Sequence, residues 1–154
     1  MELAGWWARF AAYLIDSMIL AILVALIIVG MYVVAVMGSP ASTVARSASG
    51  VTSPFGTAMR LIADLLVIAL LLMYFPGQWA ASGQTLGQKA LGIMVVREDG
   101  QLIGIGRGFL RYLVGMAILD SIVFGLPIGW LWAAWDTKKQ AWHDKIAGTV
   151  VVRV

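Results

Sequence analysis

Two long apolar runs constrain this chain more than anything else in it. Residues 10–37, "FAAYLIDSMILAILVALIIVGMYVVAVM", carry a single charged residue, Asp16. About 20 such residues cross a bilayer as a helix at roughly 1.5 Å each. The run predicts a first span over 8–37, and residues 58–81 predict a second. Arg60 and Asp64 stand i,i+4 near the start of the second run, and Pro76-Gly77 should kink or end it. The remaining residues are too few for a separate soluble core: 61% of the 154 are hydrophobic, 12% are charged, and the mean hydropathy is +0.90. One integral membrane domain is the expectation. The net charge of +3 is scattered, so the basic residues read as topology signals and predict no nucleic-acid partner. With no cysteine, disulfides and thiolate metal sites are excluded. Glu2, the length of the first run and the lack of a small-residue cleavage site argue against a signal peptide, so the first helix is expected to be retained.

Between and after the runs the pattern changes. Residues 38–57 are rich in Ser, Gly, Pro and Thr and predict a solvated outer loop. In 82–107, Ser82 or Gln84-Thr85 can open a short helix through Ala90, with Gly92 as its stop. "IMVVREDGQLI" then predicts a hairpin turning at Asp99-Gly100, and Arg107 and Arg111 share one side of an interfacial helix. Residues 108–136 form a third apolar region interrupted by "FGLPIG". They either cross once or turn and return. Lys89, Arg97, Arg107 and Arg111 follow the second run, whereas the outer loop holds only Arg46, which places the N-terminus and the later loop in the cytoplasm. Lys138, Lys139, Lys145 and Arg153 in the tail (137–154) would join them only if the third region returns. The placement of Trp130, Trp132, Trp135 and Trp142 favours the same broken or re-entrant element.

Residues 85–96, "TLGQKALGIMVV", and 141–152, "AWHDKIAGTVVV", match at Lys89/Lys145, Gly92/Gly148, Val95/Val151 and Val96/Val152, with Gln88 facing Asp144. Both read as short helix, glycine, strand, and as a repeat they should share one surface. The tail strand is then expected to join the hairpin in a three-stranded sheet. The fold class is an α-helical integral membrane protein: two long transmembrane helices, a third broken or re-entrant helical element, short cytoplasmic amphipathic helices and a small β-ribbon.

With these motifs the chain resembles the RDD family of small, mostly prokaryotic membrane proteins, named for an arginine at the start of the first helix and two aspartates. "RFAAYLID" supplies Arg9 and Asp16, "WHDKIAGTVVV" is similar to the closing motif and makes Asp144 the second aspartate, and "TLGQKALGIMVVREDG" is similar to the central one. The resemblance implies a multi-pass protein of a bacterial inner membrane. Its functional implications are transport, including cation/proton exchange in some members, or an accessory role in a larger membrane assembly.

Arg9 and Asp16 share a helix face about 10 Å apart along the axis, so a direct pair is not expected. Gly5, Ala8 and Ala12 form a small-residue edge beside them, and the stripe should face protein. An ionised Asp near a helix centre costs about 2.5–3.5 kcal/mol and calls for a partner, water or a proton. If the tail returns, Arg9 should pair with Asp144, while Arg107 or Arg111 can snorkel towards Asp16. Arg60 and Asp64 form a local pair. Two functional readings stay open: the three signature charges only clamp the first helix to the cap, or Asp16 is a protonatable cation site with Asp120 and Asp64 as further stations. His143 beside Asp144 reads as an interfacial cap, since no second His or any Cys completes a zinc site. "GIGRG" (104–108) lacks the strand and acidic residue of a dinucleotide fingerprint. Nothing resembles a nucleophile with its base, so neither an enzyme nor a cofactor is predicted. The partners expected are membrane lipid and either further copies of the chain or a larger membrane complex.

Overall fold

The computed structural model describes residues 2–39, 53–113 and 128–154. It is mostly helical. Two long apolar helices, α1 (Trp6–Met37) and α2 (Pro54–Ser82), are each long enough to cross a membrane. They are followed by α3 (Leu86–Ala90), β1 (Ile93–Arg97), α4 (Gly104–Phe109), α5 (Ile128–Leu131), a 3₁₀ turn at Trp132–Ala134, α6 (Trp142–Ala147) and β2 (Thr149–Arg153). The chain divides into two compact units, Met1–Ser17 with Leu72–Val154, and Met18–Leu71.

The unit Met18–Leu71 holds most of the apolar length of both helices. Side chains such as Met18, Leu26, Tyr32 and Leu65 are exposed, as expected of faces meant for lipid or other helices. Helix α2 begins four residues before the expected position 58. The reason is local: the Ser53 hydroxyl accepts the Gly56 N–H (2.9 Å), and Pro54 occupies the first helical position, where its missing N–H costs nothing. Pro76 does not end α2, which continues to Ser82.

In the other unit, α3 opens where the sequence indicates. Thr85 Oγ1 accepts the Gln88 N–H (3.3 Å) and Gln88 Oε1 accepts the Thr85 N–H (3.0 Å), a reciprocal capping box. Gly92, at φ +60°, stops it. The expected hairpin does not form. Gly100 closes a turn onto the Arg97 carbonyl (2.9 Å), but no second strand follows, and β1 pairs antiparallel with β2 instead. The cause is visible at the outer edge of β1. There the Val95 N–H donates to the Gly83 carbonyl (2.7 Å) and Gln84 Nε2 donates to the Ile93 carbonyl (2.9 Å), so a returning strand would find that edge taken.

The sheet therefore has two strands, not three. The far edge of β2 is covered by the N-terminal segment: Ala4 N–H donates to the Val151 carbonyl and Arg153 N–H to the Glu2 carbonyl, both at 2.9 Å. Ile93, Val95 and Val151 are at most 1% exposed and anchor this layer, each burial contributing about 1.5–3 kcal/mol.

The two matched segments share one surface. Each is a short helix, a glycine at φ near +60° (Gly92 +60°, Gly148 +61°) and a strand, and Val95 pairs directly with its counterpart Val151. A local two-fold relation therefore passes through that pair.

Both flanks of the third apolar region belong to this unit. Gly108 of α4 lies against Pro76, where a Cβ would sit 3.1 Å from the proline Cα. Trp130 of α5 meets Trp6, Phe10 and Tyr13 of α1 at ring-centroid distances of 5.5, 5.8 and 5.7 Å. The "FGLPIG" interruption (124–129), apart from Ile128 and Gly129 at the start of α5, and Asp120 lie outside the described residues.

Candidate functional site

Only three residues of α1 are buried, Arg9, Ala12 and Asp16, and their spacing puts them on one face. The signature stripe faces protein. Arg9 Nη1 lies 2.6 Å from Asp144 Oδ2, so the expected pair is formed across 135 positions of sequence. A second guanidinium closes on the other oxygen: Arg111 Nη1 is 2.6 Å from Asp144 Oδ1 and also donates to Thr149 Oγ1 (2.8 Å). Asp144 is the third residue of α6, and its Oδ2 also accepts the Ala141 N–H (2.9 Å).

Asp144 is wholly buried, and burial by itself raises a carboxyl's pKa. The charges of Arg111, His143 and Arg9 outweigh burial and, with the Ala141 N–H, hold this carboxyl well below the usual carboxylate range. Arg111 also lies over the Trp79 ring, 4.7 Å from its centroid.

Asp16 is held differently. Arg111 does not snorkel to it, because Asp144 binds that guanidinium, and Arg107 turns to the Ala147 carbonyl (3.4 Å). Neutral donors surround Asp16 instead. Tyr74 Oη (2.8 Å) and the Gly87 N–H (2.8 Å) donate to Oδ1, and Thr85 Oγ1 (2.5 Å) donates to Oδ2. The carboxylate thus sits on the first turn of α3, where free N–H groups favour an anion.

This approach requires Gly87. A Cβ there would stand 2.2 Å from the Ala12 carbonyl oxygen and 3.0 Å from the Asp16 carboxyl carbon. Sequence reading missed Tyr74, Thr85 and Gly87 as partners of Asp16. The signal that could have found two of them is "TLGQ", a capping box with a small residue inside it.

Beside these groups lies a cavity of about 40 Å³. Its wall includes Arg9, Asp16 and Arg111 together with Trp6, Trp79 and Trp130. His143 lines it as well. Outside this region, Arg60 and Asp64 approach to 3.9 Å, with 81% and 61% of their side chains exposed. Among the described residues, no three His, Cys, Asp or Glu side chains gather as a metal ion would require.

The sequence model of the RDD family matches residues 3–148. The chain belongs to the RDD family. Among its relatives is the "Uncharacterized protein YxaI" of Bacillus subtilis, 34% identical over 150 residues that cover 97% of this chain and 96% of the relative. The "Uncharacterized membrane protein YteJ" of the same organism is 32% identical over 97% of this chain and 80% of its own length. The "Proline-rich antigen" of Mycobacterium leprae is 28% identical over 97% of this chain, which spans 60% of that protein. No solved structure matches. For this RDD-family chain, the two candidate spans and a relative named as a membrane protein together suggest a membrane location.

Proposed function

We propose that the chain is a multi-pass, non-catalytic subunit or assembly factor of a larger membrane complex. In this reading its N-terminus and strand-bearing cap face the cytoplasm of a bacterial cell, and its third apolar region re-enters. The observation that carries the reading is the engagement of both signature carboxylates: Asp16 accepts three hydrogen bonds and Asp144 is bracketed by two guanidiniums. A cation on Asp16 would compete with the Thr85 and Gly87 donors that also position α3. The long helices supply the complementary feature, since only 6% and 17% of their most apolar stretches are buried, which leaves broad faces for lipid or partner helices. Re-entry is supported by Trp130 and Arg111, from the two flanks of the third region, which both reach residues near the N-terminal end of α1 or its partner Asp144. Basic residues in both 82–107 and the tail support the cytoplasmic assignment.

Gentle extraction from native membranes followed by mass determination tests this. Stoichiometric co-purification with a much larger complex supports it. A homo-oligomer that moves cations alone in proteoliposomes, and stops doing so in Asp16→Asn, overturns it in favour of transport. The transport reading has its own support in the cavity that reaches Asp16.

A further inference from the structure

Two residues that line the cavity, Trp6 and Arg9, carry three buried N–H-bearing atoms that lack an acceptor among the described residues: Trp6 Nε1, Arg9 Nε and Arg9 Nη2. The Arg9 side chain is 9% exposed, and its Nη1 is committed to Asp144. What remains is a fork of two nitrogens of a fixed guanidinium plane, the geometry that engages two oxygens of one oxyanion. Leaving a buried donor unpaired costs about 1–3 kcal/mol, and more for a charged group, so a clamp with no other task would not collect three on one wall. The carboxylate and amide acceptors of Asp16 and Gln88 on the same wall are already engaged. Both Asp16 oxygens hold donors, and Gln88 Oε1 accepts from Trp79 Nε1 and the Thr85 N–H, both at 3.0 Å. The guest must therefore bring acceptors.

Charge and position narrow it further. Arg9 and Arg111 formally balance Asp16 and Asp144, so a singly charged group is accommodated more readily than a dianion. At about 40 Å³ the cavity admits roughly three water-sized groups, by the roughly 10–15 Å³ that each requires, which is room for the oxygens that the donors engage and not for the whole of a larger molecule. It lies among tryptophans at the ends of both long helices, the level at which such side chains meet lipid headgroups.

We propose that this cavity binds a singly charged phosphate group, gripped by the Arg9 Nε/Nη2 fork and the Trp6 indole N–H. The group is either the phosphodiester of a lipid headgroup or free monoanionic phosphate.

The test uses the full chain, delipidated in dodecyl maltoside, in two arms read by the thermal unfolding midpoint. One arm titrates inorganic phosphate against chloride at matched ionic strength. The other compares nanodiscs of phosphatidylglycerol with nanodiscs of phosphate-free diglucosyl diacylglycerol, at graded lipid ratios. The expected result is saturable stabilisation in at least one arm. It is abolished by Arg9→Lys, which keeps the charge facing Asp144 but loses the fork, and weakened about two- to tenfold by Trp6→Phe, which keeps the ring. Arg97→Lys, away from the cavity, leaves it unchanged. Stabilisation by inorganic phosphate identifies a free anion, and stabilisation only in phosphatidylglycerol identifies the headgroup. If Arg9→Lys does not fold, Trp6→Phe decides alone. No saturable effect in either arm, or one that survives in the variants that fold, overturns the proposal and leaves a water-filled cavity.

Discussion

Gly87→Ala separates the packing account of Asp16 from ordinary helix propensity, because the two predict opposite signs. Alanine is favoured over glycine inside a helix by about 1 kcal/mol, so propensity alone predicts a more stable protein. The geometry predicts the reverse. The new methyl carbon would lie 2.2 Å from the Ala12 carbonyl oxygen, a backbone atom that cannot swing aside. To reach a tolerable contact, α3 must retreat by about 1 Å. That retreat stretches the 2.8 Å bond from the Gly87 N–H and the 2.5 Å bond from Thr85 Oγ1 to Asp16 towards or beyond the hydrogen-bonding range. Overpacking contributes about 1–3 kcal/mol of destabilisation, and weakened charge-assisted bonds to a buried carboxylate about 1–3 kcal/mol more. After the propensity gain, a net loss of about 1–5 kcal/mol remains, or roughly 2–20 °C in Tm for a chain of this size. Thermal unfolding of the purified chain in detergent measures it. Gly106→Ala in α4 is the control, since a Cβ there meets nothing within 4 Å, and it should leave Tm unchanged or raise it. A Gly87→Ala variant as stable as wild type would refute the claim that α3 is seated on Asp16.

Asp144→Asn strips the counter-charge from two buried guanidiniums and should destabilise by about 3–5 kcal/mol in the same assay. The depressed Asp144 carboxyl also fixes a pH window. Because its folded-state pKa lies below the unfolded one, its contribution is fully present above about pH 4 and is lost as the pH falls below that. Wild-type stability should therefore drop over this acid range, and the Asp144 part of the drop should vanish in Asp144→Asn. Tyr74→Phe removes one of three donors from Asp16 and keeps the ring that meets Phe75, so a loss of about 1–3 kcal/mol in thermal unfolding is expected; no loss would mean the hydroxyl is not needed.

Long-range electrostatics proved easier to read from the sequence than local sheet pairing. Arg9 and Asp144 could be matched because few charges exist in so apolar a chain, and an intramembrane charge without a partner is costly. The helix start at Gln84-Thr85 and the glycine stops at Gly92 and Gly148 are local chemistry and were legible for that reason. The hairpin misled because Asp99-Gly100 does form a turn, while the edge of β1 is filled by Gly83 and Gln84, residues whose competing hydrogen bonds leave no periodic trace. The donors to Asp16 were hidden for a related reason: a threonine hydroxyl, a backbone N–H and a tyrosine carry no charge that calls for a partner.

The repeat explains why the two aspartates have such different neighbours. Each short helix has a carboxylate at its amino end, but from different sources. In α6 it is the helix's own third residue, Asp144, whereas the corresponding residue of α3 is neutral Gln88, and the carboxylate arrives from α1 as Asp16. Asp144 was therefore free to take two arginines, one from α1 and one from the first residues of the third apolar region, which ties three parts of the chain to one point. Among the described residues, Asp16 ties α1, α2 and α3 and does so without a counter-ion. The guanidinium of Arg9 is divided between these demands: one nitrogen completes the clamp, and the other two are buried without an acceptor among the described residues. Arg9 is accordingly the residue at which holding the fold together and holding a phosphate can be separated, since lysine preserves the first role and removes the second.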